Sequence, residues 1–132
     1  VIFANNQTYG MTGGQMAPTT LVGQKTTTTP FGRDPQSTGY PLKMCELLAT
    51  LEAPAFVARY ALNTPKGVSD AKKGIKKAFE LQLAGKGFTF IELLTNCPTN
   101  WGMSPLQTLD YMDTNTIPYF KPGIYKDTEV QG

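Results

Sequence analysis

The sequence predicts an α/β domain built on a mostly parallel sheet flanked by helices. Three observations lead there. Residues 55–58 and 88–94 are apolar runs of strand length, each follows a segment with helical spacing of apolar residues, and residues 1–4 form a third apolar run. Helix–strand–helix–strand order needs crossover connections, and crossovers lay consecutive strands parallel.

Taken in order, residues 1–4 stop at Asn5-Asn6 and read as the end of a buried strand. Residues 7–39 have neither helical nor strand periodicity and are rich in Gly, Thr, Pro and Gln. A loop of that length inside a compact domain is usually functional or disordered. The glycines of Tyr9-Gly10-Met11-Thr12-Gly13-Gly14-Gln15 suggest close backbone approach to another group. Threonines 26–29 read equally as a flexible linker or as a segment whose neighbours Lys25 and Arg33 meet anionic groups. Residues 42–51 place Met44, Leu47, Leu48 and Leu51 on one helical face, with Pro41 at the start. A strand at 55–58 and a loop at 63–67 follow. Ser69 then caps a helix running to about Ala84, with Ala71, Ile75, Ala78, Phe79 and Leu83 inward and Gly85 ending it. After the strand at 88–94, residues 95–103 form a loop, Ser104-Pro105 opens a short helix to about Met112, and the tail from Thr116 is irregular.

Parallel sheets are covered on both faces, and three strands make a thin core. Together with a first residue that is not Met, this predicts a fold incomplete at its N-terminus. The 132 residues suit one domain, and 40% hydrophobic with 17% charged residues suits a globular one. A formal charge of +2 gives no reason to expect nucleic acid as a partner. Lys72, Lys73, Lys76 and Lys77 read as the solvated face of an amphipathic helix, and Trp101 and Tyr40 as packing anchors. No run approaches the roughly 20 apolar residues of a membrane span. A secretory signal is missing too, so a cytoplasmic setting is expected and a Cys45–Cys97 disulfide is not. Histidine is absent, which removes the commonest general base and metal ligand. Chemistry here must come from a cofactor, from carboxylates or from another chain.

Two constellations can carry it. Asn5-Asn6-Gln7-Thr8 follows a strand, where open parallel sheets bind ligands beyond the strands' carboxyl ends. An Asn side-chain oxygen and a carbonyl two residues on suit a hard cation such as Mg²⁺, while loop amides cradle phosphate oxygens. A strand-ending Asx turn is the plainer reading. The second constellation, Asn96-Cys97-Pro98-Thr99-Asn100-Trp101-Gly102, follows the strand at 88–94. Cys97 alone reads as a small buried hydrophobe, and Cys45, on or beside an apolar helix face, as core packing.

The run Asn5-Asn6-Gln7-Thr8-Tyr9-Gly10-Met11-Thr12-Gly13-Gly14-Gln15-Met16-Ala17-Pro18-Thr19-Thr20 resembles the thiamine-diphosphate loop of 2-oxoacid:ferredoxin oxidoreductase beta subunits. Cys97-Pro98-Thr99 is similar to a motif after the corresponding strand of that family, and Lys25 to Pro30, Gly32-Arg33, Cys45-Glu46-Leu47 and Phe56-Val57-Ala58-Arg59 follow in its order. So do Lys76-Lys77-Ala78 and Gly87-Phe88-Thr89-Phe90. The resemblance spans essentially the whole chain, as the C-terminal half of such a subunit, and is strongest to branched-chain and 2-oxoglutarate members. The family's opening Gly-Asp-Gly and its N-terminal Cys-x-x-Cys are missing here.

The resemblance implies a partial thiamine-diphosphate-binding domain: a cofactor loop at 1–40, a helix–strand core at 41–94, and a loop, short helix and tail at 95–132. It implies Asn6 (side chain) and Thr8 (carbonyl) on Mg²⁺, Thr12 and Gly13 against the diphosphate, and Tyr9 and Gly10 in the same cofactor-binding loop. Met11 would lie beside the thiazolium and substrate, where pyruvate members tend to carry Asn. Cys97 would be the fourth ligand of a 4Fe-4S cluster shared with the missing half. The implied reaction is CoA-dependent oxidative decarboxylation of a 2-oxoacid (2-oxoisovalerate or 2-oxoglutarate), reducing ferredoxin, as in anaerobic metabolism. The implied assembly is a hetero-oligomer with alpha and gamma/delta subunits. The alternatives are a ferredoxin-independent thiamine-diphosphate decarboxylase or synthase, and a non-catalytic fragment.

Overall fold

A computed structural model of the chain describes residues 1–130; the tail residues 131 and 132 lie outside the described residues. In chain order the elements are β1 (Ile2–Asn5), β2 (Thr8–Tyr9), β3 (Gln15–Met16), α1 (Pro35–Thr38), α2 (Met44–Ala49), β4 (Pro54–Ala61), α3 (Pro65–Leu83) and β5 (Phe88–Leu94). They continue with α4 (Pro98–Trp101), α5 (Pro105–Tyr111), a π-helical turn (Met112–Thr116), α6 (Ile117–Tyr119) and β6 (Gly123–Asp127). The main sheet has the order β1-β5-β4-β6, with β1, β5 and β4 parallel and β6 antiparallel to β4. This is the mostly parallel α/β sheet that the sequence predicts. Among the described residues no helix is long and apolar enough to cross a membrane.

β4 and β5 are nearly continuous apolar runs because both of their faces are covered. On one face Phe56, Ala58 and Ile91 pack under Ala78 and Leu81 of α3. On the other, Val57 and Phe90 pack under Cys45 of α2, joined by Phe3, Met44, Leu48 and Tyr125. A third cluster of Leu21, Ala61, Leu94, Met112 and Phe120 lies where β4 and β5 end.

Several elements depart from the predicted ones. α3 starts at Pro65, because Thr64 and not Ser69 is its cap: the Thr64 hydroxyl accepts from Gly67 N at 3.0 Å. Its buried face is Ala71, Gly74, Ala78 and Leu81, while Phe79 and Leu83 are 58% and 88% exposed. Small residues face the sheet because the helix lies against bulky strand groups. A Cβ at Gly74 would stand 2.3 Å from the Tyr60 hydroxyl oxygen. α2 is shorter than expected, starts three residues after Pro41, and turns Cys45 inward while Leu47 and Leu51 remain half exposed. The loop at 95–103 holds the single turn α4, and the short helix ends at Tyr111 in the π-helical turn. The tail is not irregular throughout: β6 supplies a fourth strand, pairing Phe56 with Asp127 and Arg59 with Gly123.

The aperiodic segment is ordered by side chains. Arg33 is 5% exposed and donates to the carbonyls of Ala17, Pro18, Thr20, Thr38, Gly39 and Tyr40. Thr26 and Thr29 close a tight turn, their hydroxyls 2.6 Å apart, so threonines 26–29 are no linker.

A buried polar network ties the layers together. Arg59 and Glu92 are register partners in the middle of the sheet, both side chains fully buried, with Nε and Oε2 2.7 Å apart. Arg59 also makes a two-pronged pair with Glu46 of α2 (3.0 and 2.7 Å) and donates to the Tyr125 hydroxyl of β6 at 2.7 Å. The other Glu92 oxygen accepts from Asn5 Nδ2 at 2.7 Å, and the Cys45 thiol donates to Oε2 at 3.3 Å. Burial alone would lower the Arg59 pKa, but the bonds to Glu46 and Glu92 outweigh it and hold it above its ordinary value. Burial likewise opposes the Glu46 charge, yet the Arg59 hydrogen bond prevails and keeps that carboxyl below its ordinary range.

Removing one partner of a buried ion pair leaves an uncompensated charge, so Glu92→Gln should cost about 3–5 kcal/mol in urea unfolding. A loss below about 1 kcal/mol would show that Glu46 alone satisfies the guanidinium. Because the folded Glu46 pKa lies below the unfolded one, its contribution is present above the unfolded value and lost as pH falls through the folded one. The urea midpoint of Glu46→Gln should therefore lie below wild type at neutral pH and converge with it as pH falls through the folded Glu46 pKa. Parallel curves throughout would show that the Glu46 charge contributes nothing.

Candidate functional site

The site begins where β1 ends. Asn5 is buried and fully engaged: Nδ2 donates to Glu92 and Oδ1 accepts from Gln7 N at 3.1 Å. Asn6 is half-buried, and its Oδ1 has only a long contact of 3.3 Å from Thr8 N. Both are Asx turns, the plainer reading of the pair, but Asn5 is buried and tied to Glu92, while the half-buried Asn6 has an oxygen within reach of a ligand. Gln7 follows in left-handed backbone (φ 64°), a conformation non-glycine residues hold only under surrounding constraint. Its Nε2 donates to Thr116 at 2.8 Å and its carbonyl accepts from Thr20 at 2.5 Å. Among the described residues Gln7 Oε1 and Thr8 Oγ1 are buried without a partner, and buried polar atoms are rarely left so. A cavity of about 330 Å³ opens here, lined by Asn6, Gln7 and Thr8 with Phe3, Leu42, Met44 and Phe90.

β2 and β3 form a small hairpin whose tip runs from Gly10 to Gly14. It closes through Gly14 N to the Tyr9 carbonyl at 2.9 Å and Gly13 N to the Gly10 carbonyl at 3.3 Å. Gly13 and Gly14 have φ of 119° and 78°, values that need glycine. Thr12 and Gln15 bond reciprocally on the outside of the turn. Tyr9 is half exposed, and Met11 is fully exposed at the tip. Among the described residues the amides of Gly10, Met11 and Thr12 donate to no acceptor, leaving a run of N–H groups of the kind that binds anions.

The second constellation meets the first. Cys97 caps the single turn α4 beyond β5, half-buried and not in a disulfide. Trp101 of that turn packs on Tyr111, ring centroids 5.1 Å apart, and donates Nε1–H to the Asn6 carbonyl at 3.0 Å. Asn100 donates Nδ2–H to Cys97 Sγ at 3.1 Å and lies against the hairpin: a Cβ at Gly10 or Gly14 would stand 2.8 or 2.7 Å from its carboxamide. The structure thus joins the two loops through Asn100 and Trp101. Neither contact was foreseen from the sequence. Both residues stand in the Cys97 run, but nothing in their spacing names a partner about ninety residues upstream in the chain. The Arg59–Glu92–Glu46 network was missed as well, although a charge centred in each of two apolar strands is a signal, since buried charges must be paired.

The donors present fit a cation-bound diphosphate: a neutral oxygen on Asn6, a following carbonyl, and free loop amides. For an iron–sulfur cluster the fit is partial, because such clusters need four thiolates. Cys97 is one, and among the described residues no three His, Cys, Asp or Glu side chains gather. Other expected residues are placed elsewhere. Arg33 meets backbone carbonyls rather than an anion, burial lowers its pKa, and Lys25 is exposed. Tyr40 is 74% exposed and anchors nothing, whereas Trp101 does pack. Of the basic helix, Lys73 and Lys76 pair within α3, and Lys77 pairs with Asp127 of β6.

Comparison with known proteins bears on this site. Ketoisovalerate oxidoreductase subunit VorA of Methanothermobacter marburgensis is 58% identical over 100 residues, 76% of this chain and 21% of that protein. 2-Oxoglutarate synthase subunit KorB of Methanocaldococcus jannaschii is 36% identical over 138 aligned positions, all of this chain and 46% of that one. This chain therefore spans less than half the length of either relative. A solved 2-oxoglutarate:ferredoxin oxidoreductase from Magnetococcus marinus, determined with 2-oxoglutarate, coenzyme A and succinyl-CoA bound, shares the fold. Its TM-score is 0.69 at 24% identity, over 96% of this chain and 46% of that one. The family model for the thiamine pyrophosphate enzyme C-terminal TPP-binding domain matches residues 1–93, from β1 through the hairpin and α2 almost to the end of β5. On that match the chain belongs to the thiamine pyrophosphate enzymes, as part of their C-terminal, TPP-binding domain.

Proposed function

We propose that this chain is the cofactor-loop part of a 2-oxoacid:ferredoxin oxidoreductase subunit, working in the cytoplasm within a hetero-oligomer. The enzyme would convert a 2-oxoacid and coenzyme A to acyl-CoA and CO₂, passing electrons to ferredoxin. The observation that carries this is the junction of the two loops: the Gly10–Gly14 hairpin and the Cys97 turn are held together by Asn100 and by the bond from Trp101 to Asn6. The free Cys97 thiol beside the cofactor loop, in its Cys-Pro-Thr setting, favours this reading over a thiamine-diphosphate enzyme without iron–sulfur chemistry. The names of the relatives support the same reaction, and the greater likeness to the ketoisovalerate subunit favours a branched-chain substrate.

Bound thiamine diphosphate supplies the reactive carbon and the electron sink for decarboxylation. The chain's own residues would bind and orient. Asn6 Oδ1 and the Thr8 carbonyl would hold Mg²⁺, hard oxygen ligands for a hard cation. The amides of Gly10, Met11 and Thr12, with Gly13, would cradle the diphosphate, and Tyr9 fixes the hairpin neck through its carbonyl. Met11, free of contacts at the tip, would present an apolar side chain to the ring and substrate. Cys97 would supply one thiolate to a 4Fe-4S cluster whose other three ligands lie outside this chain. With no histidine present, no side chain here is asked to act as a nucleophile.

The second reading, a ferredoxin-independent thiamine-diphosphate decarboxylase or synthase, shares the hairpin and differs at Cys97. Iron and acid-labile sulfide analysis of the complete assembly decides between them. Their absence favours the second reading; where they are present, Cys97→Ser should remove one cluster's iron and bleach part of the visible absorbance, and unchanged iron content would take Cys97 off the ligand list. In the complete subunit Asn6→Ala should weaken Mg²⁺-dependent thiamine diphosphate binding in calorimetry by more than the roughly 10–100-fold that outer-shell partners cost. Wild-type affinity at low Mg²⁺ would take Asn6 off the metal.

A further inference from the structure

Among the described residues Gln7 alone combines a side chain beyond Cα with a positive φ, 64°. It stands between Asn6 and Thr8, the two residues proposed to hold Mg²⁺. Extended residues advance about 3.3 Å each, so an extended Gln7 would carry Thr8 well past the Asn6 side chain. The left-handed turn instead folds the Thr8 amide back to 3.3 Å from Asn6 Oδ1. A residue with a Cβ pays for this conformation, and it persists only where the surroundings over-determine it.

Three segments supply that constraint, and Gln7 itself is 1% exposed. Its amide donates to Asn5 Oδ1 at 3.1 Å, its carbonyl accepts from the Thr20 hydroxyl at 2.5 Å, and its Nε2 donates to Thr116 Oγ1 at 2.8 Å. Thr20 and Thr116 are fully buried. Thr20 is anchored in turn, its hydroxyl accepting from Ala17 N and its carbonyl from Arg33. Thr116 closes the π-helical turn, where Ile117 N donates to the Met112 carbonyl five residues back. Such turns are rare, and they recur at functional sites. Here the turn delivers a hydroxyl to a residue 109 positions upstream.

We propose that Gln7 is a positioning residue for the cation: gripped by Thr116 and Thr20, its left-handed turn presets the Asn6 side-chain oxygen and the Thr8 carbonyl for Mg²⁺. The inference rests on the reading of those two oxygens as metal ligands. Gln7 acts through its neighbours rather than on the ion. A pair of oxygens held in place before the ion arrives incurs less ordering cost on binding, so loosening the grip weakens the metal site. Partners outside the ligand set commonly contribute roughly 10–100-fold to metal affinity.

The test uses the complete, anaerobically purified assembly, freed of cation and cofactor. Mg²⁺ is titrated calorimetrically at saturating thiamine diphosphate, and Mn²⁺ in its place is followed by EPR of the free ion. Thr116→Val keeps the shape and removes the hydroxyl, so it should weaken both cations roughly 10–100-fold. Thr116→Ser restores the hydroxyl and should bind near wild type. Excess Mg²⁺ should recover thiamine diphosphate binding in Thr116→Val, which a general loss of structure would not allow. Wild-type cation affinity in Thr116→Val, with Asn6→Ala still weakened, would overturn the positioning role and leave the metal reading standing. Equal losses in the valine and serine variants would overturn it too, because the hydroxyl would then not be what holds Gln7. Wild-type affinity in Asn6→Ala would overturn the metal reading and this inference with it. Should Thr116→Val fail to assemble, Gln7→Gly decides, since glycine takes the left-handed turn freely but offers Thr116 nothing to grip. Weakened cation binding in that variant supports the proposal, and unchanged binding overturns it.

Discussion

The Arg59–Glu92 pair is the constraint on which the rest of the molecule depends. Two full charges lie side by side in the middle of the sheet, and the cost of removing them from water is offset only by close partners. Those partners come from three surrounding elements: Asn5 from β1, Cys45 and Glu46 from α2, Tyr125 from β6. α3 is held to the sheet by apolar burial and close packing of small residues, whereas the opposite face is tied to it by directed polar bonds as well. Asn5 is the link to function. Its bond to Glu92 fixes the end of β1, so the chain must leave the sheet at Asn6 in the direction that carries Gln7 into left-handed backbone and sets out the hairpin.

That dependence explains which parts of the fold were legible in the sequence. The strand at 88–94 was read to the residue, because a both-sides-buried strand is an unbroken apolar run bounded by Gly87 and Thr95. α3 was read as a helix with the wrong start and a partly wrong face. Pro65 and Gly67 look like loop residues, yet here the proline opens the helix and the glycine lies against the Ala61 carbonyl, where a Cβ would stand 2.0 Å away. The face was misread because hydrophobicity marks bulky residues, while the helix needed small ones toward Tyr60. β6 was invisible for a different reason. It is a short antiparallel edge strand with Ile124 60% exposed, so its pattern shows neither an apolar run nor clear alternation.

The candidate site divides along the same line. Residues whose part is local, such as the glycines of the hairpin tip and the Asn pair, carry signals in their own neighbourhood and were singled out. Spacing alone does not separate the two asparagines, and it is the resemblance that singles out Asn6; in the fold Asn5 is tied to Glu92 and Asn6 is not. Residues whose part is to meet a distant segment carry no local signal. Asn100 and Trp101 become meaningful only when β1 and β5 lie side by side and bring their carboxyl ends to one edge. A resemblance found along the sequence marks both loops but says nothing of what joins them.

Arg33 has a consequence for how the first forty residues become ordered. A guanidinium has five N–H groups, and here they serve six carbonyls from two stretches, 17–20 and 38–40. Either stretch alone would leave half of the donors stripped of water and unsatisfied, so neither gains by docking first. The segment should consequently lock or open as one unit despite having almost no regular secondary structure. Lysine, with three donors radiating from a single nitrogen, has no planar fork to bridge the two stretches. Part of the cohesion that periodic backbone bonding gives a helix is supplied to this stretch by the Arg33 side chain.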